Sequence, residues 1–531
     1  MKIYIITFSL FFCCFLNAQS NLSKDYTYTI GEPYENIKGV INGYWPFYYT
    51  TKDNQIMAIK SNRKQLVVQK FNIENLKLIS SEEITDLPKN KMQEKIVAIN
   101  NKYYYFYSSW SGKKTKHERL YYKEVDFEKG NFSEQSTLLL DIPEKIKSYF
   151  GLDKFEIKTS IDSTKLMAKY TKISKIKKNK NSFELIKLHV FDKDIKQIWS
   201  KEYKMQYSEI KTRVIDYQVS SHGDVYMLAK IFHDNSKKDK KRGKDGAQNY
   251  HLEVLKISKD SEIILTLNLE EKFINAANMY LNNTGELTIT GFYTQGNVKE
   301  RYIDNDTNGV FIFKFDKDDN LIYKKTHEIP TSIIKQYESK KTKRKLNKKE
   351  RKNEATFTNL VPQYLGINDT GVTLIGEQFF QTEYKGKYRQ HYHDMLITKI
   401  DNKGDLLWMK KLPKKQKRGK GSTLSELSFS YFLSKNYHHL IFLDNKKNIR
   451  LPLNMVPNLH LGGYGGYLTV YKIKDDNGAI NKDAIFDTKK VGENQIEIDY
   501  INNRLIEISE NEFIIEVLSK KKNRLIKIIF N

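Results

Sequence analysis

The sequence predicts an all-β fold assembled from about eight copies of one four-stranded unit. Three observations carry that prediction: residue usage, a recurring hairpin, and a further strand ahead of each hairpin. Of 531 residues 13% are aromatic, with 35 Tyr and 28 Phe against only 9 Pro. Such side chains fit a pleated, half-buried surface better than a helix. With 39% hydrophobic residues the chain also carries enough apolar surface to build a sizeable core.

The hairpin is clearest at Leu188–Trp199, Phe313–Tyr323 and Thr398–Trp408. Each copy is an apolar strand, an Asp-led polar turn, and a second strand with a bulky residue, which is the pattern of a β-hairpin. In five units the apolar anchor and the bulky residue stand eight apart: Phe71 and Ile79, Phe191 and Trp199, Ile257 and Leu265, Phe315 and Tyr323, Ile400 and Trp408. Weaker copies are anchored at Val125 and Ile473, and an eighth begins near Ile528. Anchors recur at intervals of 54 to 85 residues, about 65 on average.

Upstream of every anchor lies another apolar strand, for example 224–229 and 372–377, and several follow a Gly-containing turn. Before those turns come alternating segments such as 214–220, 273–281 and 360–367. Each unit thus reads as four antiparallel strands, a to d. Four-stranded units repeated at this period wind into a ring of blades, so the expectation is a single β-propeller. Eight blades are expected, with seven as the alternative because two copies are imperfect. The last unit lacks strand d, and the alternating segment 26–30 can supply it, closing the ring and removing an exposed edge. The repeat at Lys314–Tyr323 and Lys399–Trp408 resembles the β-propeller repeats of secreted bacterial proteins. The resemblance implies fold and export, and carries over no catalytic residue.

The N-terminus predicts export. Lys2 precedes the apolar run 3–16, and small residues around Ala18 offer a cleavage point, so 1–18 reads as a signal peptide and 19–531 as the propeller. Both cysteines, Cys13 and Cys14, fall inside that segment. The remainder would hold no disulfide, thiolate nucleophile or Cys-ligated metal, and no other run is long enough to span a bilayer as a helix. The expected location is periplasmic, outer-membrane-associated or extracellular.

The net charge of +26 is concentrated in four connections. They are Lys172–Lys180, Lys237–Lys244, Lys340–Lys352 and Lys414–Lys420, with 25 basic residues between them. The first two join strands b and c; the other two link strand d to strand a of the next blade. In an alternating antiparallel blade these connections share one rim. A crown of like charge there would attract polyanions. The residues expected to make contact are Lys177, Lys178, Lys240, Lys241, Arg242, Lys343, Arg344, Lys345, Lys348, Lys349, Lys415, Lys417 and Arg418. The plain alternative is that these runs are solvated loops serving solubility. Lys prevails over Arg, favouring point-charge contact over planar recognition. Aromatic residues are not interleaved with the lysines, which disfavours single-stranded nucleic acid.

Other candidates have bland readings. His391 and His393 would share a strand face as metal ligands must, yet no third ligand is visible. Asp316, Asp318 and Asn320 echo a calcium loop but stand where the repeat needs a turn. The glycine-rich run from His460 to Tyr467 reads as a b–c loop able to touch a ligand. Trp199, Tyr323 and Trp408 keep a fixed place in the repeat and are expected between blades, while Trp45 and Trp110 lie off that register. Neither a metal nor a cofactor is expected. No nucleophile elbow, zinc-helix motif or phosphate loop occurs. The functional expectation is a non-catalytic binding or scaffold protein whose basic face meets an anionic envelope component or an acidic protein. The alternative is a polysaccharide-acting enzyme or lectin with its site at the central channel.

Overall fold

In a computed structural model the chain forms eight four-stranded blades. The residues described are 22–35, 48–61, 66–88, 90–148, 153–173, 182–236, 248–270, 272–295, 306–352, 354–384, 386–418, 427–434, 436–462, 465–491, 496–498, 505–519 and 522–531. Blade 1 covers 48–83, blade 2 91–142, blade 3 155–208, blade 4 212–267, blade 5 273–328, blade 6 360–412 and blade 7 430–487. The eighth sheet joins Leu505–Ser509, Glu512–Ser519 and Lys522–Phe530 to Tyr26–Ile30, with Tyr26 opposite Phe530. The proposed signal segment lies outside the described residues.

All eight repeat anchors are buried, each at 6% exposure or less. The hairpin turn explains why they recur. In three copies the leading aspartate accepts hydrogen bonds from backbone N–H groups two and four residues on. Asp192 takes Asp194 and Lys196, Asp316 takes Asp318 and Asn320, and Asp401 takes Lys403 and Asp405, all at 2.8–2.9 Å. The fourth turn residue has positive φ in each: Ile195 at 59°, Asp319 at 66° and Gly404 at 84°. Asp316 is thus occupied as a turn former, the role its place in the repeat predicts.

The apolar interior is divided. Eight clusters of buried side chains occur among the described residues, one between each pair of adjacent blades, including the pair formed by the eighth sheet and blade 1. Strands b and c supply most of these residues, since both their faces meet a neighbouring blade; Val225–Phe232 is buried throughout. Strand d faces outward at the rim, and in Leu78–Glu83 no residue is fully buried.

The bulky d-strand residues dock on the next blade. Trp199 Nε1 donates to Gly223 O at 3.1 Å, and Trp408 Nε1 to Asp475 O at 2.8 Å. A Cβ on Gly404 would stand 2.7 Å from the Tyr323 ring, so glycine there admits the aromatic. Ile79 departs from the pattern, at 51% exposed. Buried polar pairs add to the seams: Lys60 of blade 1 meets Glu516 of the eighth sheet, both essentially without solvent access.

Strands a lie side by side around the axis. Lys158 of blade 3 pairs with Asp216 of blade 4 at 3.0 Å, and Gln218 accepts from the Leu281 N–H of blade 5 at 2.9 Å. Because the strands of a blade alternate in direction, b–c and d–a connections emerge at one rim and a–b and c–d turns at the other.

Candidate functional site

A cavity of about 370 Å³ opens at the rim of the b–c and d–a connections, over blades 5 to 7. Three connections and one long hairpin build it. The first is the 329–359 link, expected as an irregular basic loop. It instead holds the helix Lys340–Glu350. Ser339 caps that helix, its hydroxyl accepting from Thr342 N at 3.1 Å. Leu346 is its one buried residue and joins the apolar cluster between blades 5 and 6 together with Ile334 and Phe357. Arg344, Lys345, Lys348 and Lys349 are exposed, and Lys343 half-exposed.

The second wall is the b–c hairpin of blade 6, whose strands Gly371–Tyr384 and Lys387–Ile400 extend well past the blade. It carries Gln378, Phe380 and His393. The Phe380 ring stacks on His391 at 4.6 Å and meets His393 edge-on at 4.9 Å. The two histidines therefore share a face, as read from the sequence, with ring centres 5.7 Å apart. No group of three metal-ligating side chains forms among the described residues. Gln416–Lys417 pairs with the hairpin, and His460–Leu461 pairs with Gln416–Lys417. The start of the glycine-rich run is thus spent on backbone pairing.

The floor is ionic. Lys411 donates to Ile334 O at 3.1 Å, Gln336 O at 2.8 Å and Glu338 Oε1 at 2.9 Å, and pairs with Asp394 at 3.1 Å. It thereby pins the 329–359 link to blade 6. Lys414 is fully buried, bonded to Glu377 and to Gln416 Oε1. Its place in the fourth basic run suggested a surface cation; in the fold it is a structural one. Burial pushes its ammonium below the usual lysine range, opposed by Glu377. Burial likewise holds the Asp394 carboxyl up.

Two side-chain atoms of this wall, His393 Nε2 and Thr356 Oγ1, have no hydrogen-bond partner among the described residues. Leaving a buried polar group unpaired costs about 1–3 kcal/mol. His393 is held neutral. Burial lowers its pKa to about 3, and His391, Lys414 and Lys415 repel the proton as well. Lys415 is half-buried and forms no ion pair with a described residue.

Of the residues expected from sequence to make contact, Lys343, Arg344, Lys345, Lys348 and Lys349 share one helix, and Lys415, Lys417 and Arg418 lie on the next d–a link. Lys177, Lys178, Lys240, Lys241 and Arg242 lie outside the described residues, as does Trp45. Trp110 ends strand b of blade 2, half-buried.

A second polar group, unforeseen from sequence, lies at the axis. The Tyr364 ring packs 4.0 Å from that of Tyr431. The Tyr431 hydroxyl bonds His438 Nδ1 at 2.8 Å, and His438 Nε2 bonds Asp475 at 2.8 Å. Asp475 also takes Lys399 at 2.8 Å, which holds its pKa down at about 2. A carboxylate so placed accepts from His438 Nε2–H, leaving Nδ1 to accept the tyrosine proton. Burial lowers the His438 pKa to about 4 and raises the Glu507 carboxyl, which acts electrostatically on both tyrosines.

Fold and site together define an all-β ring of eight blades with a polar cavity on one rim: a β-propeller. No family model matches this chain, and no curated protein does. Solved structures do, at low similarity. A prolyl endopeptidase matches over 90% of this chain at 8% identity and a TM-score of 0.39; the chain spans 55% of that protein's length. The polysaccharide lyase Uly1 matches over 93% of both chains at 10% identity and a TM-score of 0.33. The WD40 domain of SCAP from fission yeast matches over 95% of this chain and 94% of its own, at 7% identity and a TM-score of 0.36.

Proposed function

We propose that this protein is an exported, non-catalytic binding propeller whose basic rim engages an anionic envelope polymer or an acidic protein. One observation carries the reading: among the described residues, the rim reached by the d–a connections presents the cationic helix Lys340–Glu350 beside a cavity, with Lys415, Lys417 and Arg418 on the next link. The exposed lysines of that helix supply a field that captures polyanions. Export is supported by the N-terminal apolar segment and by the cysteine-free remainder of the chain. No helix among the described residues is long and apolar enough to cross a membrane.

The test is binding of the purified chain to immobilised heparin and to lipopolysaccharide across a salt series. Reversing Lys343, Arg344, Lys345, Lys348 and Lys349 to glutamate should weaken binding and flatten its salt dependence. Unchanged binding rejects the reading.

A second reading, a polysaccharide-acting enzyme or lectin, is favoured by the hydrogen-bonded line Tyr431–His438–Asp475 beside Tyr364 and Glu507. Its geometry sets a tyrosine hydroxyl, held protonated by burial, in a hydrogen bond to a neutral imidazole. Turnover of an acidic polysaccharide that is lost in Tyr431→Phe would establish the enzyme, and absence of both turnover and polysaccharide binding in the wild type would remove this reading.

A further inference from the structure

The rim cavity has a chemistry narrower than the charge around it. Its two deep lysines are spent: Lys411 on Glu338, Asp394 and two carbonyls, Lys414 on Glu377 and Gln416. Lys415 is the cation of the lining left without a described ion-pair partner. Beside it stand neutral hydrogen-bonding groups: His393 Nε2 and Thr356 Oγ1, both unpartnered, with the Thr356 side chain 9% exposed. The Gln378 amide donates to Thr358 O at 2.9 Å, which fixes its carbonyl end in place. An aromatic ring, Phe380, completes the wall with one face already stacked on His391.

One unpaired cation, several neutral donors and acceptors, and the rings of Tyr337, Phe357 and Phe380 make a poor fit to a bare polyanion. A polyphosphate asks for several free cations and offers no apolar face. It is also a poor fit to an apolar ligand, because unpartnered polar atoms stand in the wall. A sugar ring bearing one acid group matches each part. Its hydroxyls need mixed donors and acceptors, its C–H face packs on an aromatic ring, and its carboxylate or sulfate needs one positive charge. Burial above all, with the nearby Lys414 and Lys415, keeps the His393 imidazole neutral, so it meets a ligand as a hydrogen-bonding group and not as a charge.

We propose that this cavity is a subsite for a single acidic sugar residue, a hexuronate or a sulfated hexose, within an anionic glycan. Lys415 meets the acid group, His393 and Thr356 meet hydroxyls, and Phe380 supports the ring. The proposal rests on the anion-binding reading of the rim and assigns that rim a glycan. It divides labour between the two features: the helix captures the polymer through its field, and the cavity selects the sugar at short range.

The experiment is calorimetry on the full chain with four probes: a sulfated chondroitin disaccharide, a galacturonate trimer, the neutral counterpart of the disaccharide, and polyphosphate. At high salt, where long-range attraction is screened, one or both acidic sugars should bind at one site per chain. Lys415→Met should weaken that binding at least about tenfold, as should Phe380→Leu, which keeps apolar volume but loses the ring. The neutral disaccharide should bind weakly and respond to Phe380→Leu but not to Lys415→Met. Reversal of Lys345, Lys348 and Lys349 should leave the small acidic sugars unaffected while weakening polymer capture. Thermal melts confirm folding of each variant.

The proposal falls if both variants fold and bind the acidic sugars as the wild type does. It falls equally if polyphosphate matches them at high salt, or if neither acidic sugar binds. Should heparin capture persist in any of these cases, the rim still binds anions and only the sugar subsite is lost. Should heparin capture be absent too, the parent reading is lost with it.

Discussion

Mild acid should destabilise this propeller, and three histidines set the size of the effect. His438 and His439 lie side by side in strand b of blade 7, and His393 lies in the rim hairpin. Burial is the main cause of each depressed value: about 4 for His438, and about 3 for His439 and His393. In an unfolded chain each would titrate near 6.5. As pH falls through 6.5 the unfolded chain takes up three protons that the folded chain refuses, so stability is lost. From pH 7 to 5.5 these three groups cost about 4 kcal/mol. Glu94 acts in the opposite sense. Its carboxyl, buried and raised to about 7, gains a proton in the folded state over the same range and offsets about 1.5 kcal/mol. A net loss of about 2 kcal/mol remains. His189, His391 and His460 are displaced in the same direction as the three, and Asp153, Asp394 and Glu507 in that of Glu94. Urea denaturation followed by tryptophan fluorescence, at half-unit steps between pH 5.5 and 7.5, measures the slope directly. His439→Gln should remove about 1.3 kcal/mol of the loss between pH 7 and 5.5, an average of about 0.8 kcal/mol per pH unit. Stability that stays flat or rises on acidification refutes the reasoning, as does a slope that His439→Gln leaves untouched.

Lys414→Met should cost about 3–5 kcal/mol by stranding Glu377, and Lys414→Met with Glu377→Leu should recover much of it, both read from urea midpoints. Trp408→Phe removes the indole N–H bonded to Asp475 O and should lower stability by about 1–3 kcal/mol, measured the same way. Gly404→Ala should cost about 1–3 kcal/mol, because φ is +84° there and the Tyr323 ring lies where the Cβ would go. Ser339→Ala removes a helix cap and should cost about 0.5–2 kcal/mol of local stability, seen as faster amide exchange confined to 340–350 while the global midpoint hardly moves.

The blades were legible because a hairpin is written locally. The aspartate, the turn and the two flanking strands lie within twelve residues, and the same backbone geometry selects the same residue types each time. The anchors at Phe71, Val125, Phe191, Ile257, Phe315, Ile400, Ile473 and Ile528 could be found from that grammar, even where the copy was poor. The rim cavity was not legible, since its walls come from positions near 334–359, 378–393, 411–415 and 456–457 that meet only after the ring is wound. The helix Lys340–Glu350 was hidden by its own charge. Its signals were a serine cap, strong helix formers at all positions but Thr342 and Asn347, and one apolar residue at Leu346. Nothing in the run 414–420 marks Lys414 as the residue that turns inward. The axial tyrosine Tyr364 lay within a strand the repeat did predict, but its partner Tyr431 stands in another blade, and no local pattern links them.

Dividing the interior into eight separate seams has a mechanical consequence. In a globule with one central core, a breach exposes the whole of it. Here a transient gap at any single seam wets only that seam, while the other seven keep the two parted blades near each other. Reclosure is then an encounter between tethered surfaces at high effective concentration. Such a ring can breathe at one place without coming apart, so slow amide exchange should survive in strands b and c of distant blades even when a rim connection opens to admit a bulky guest.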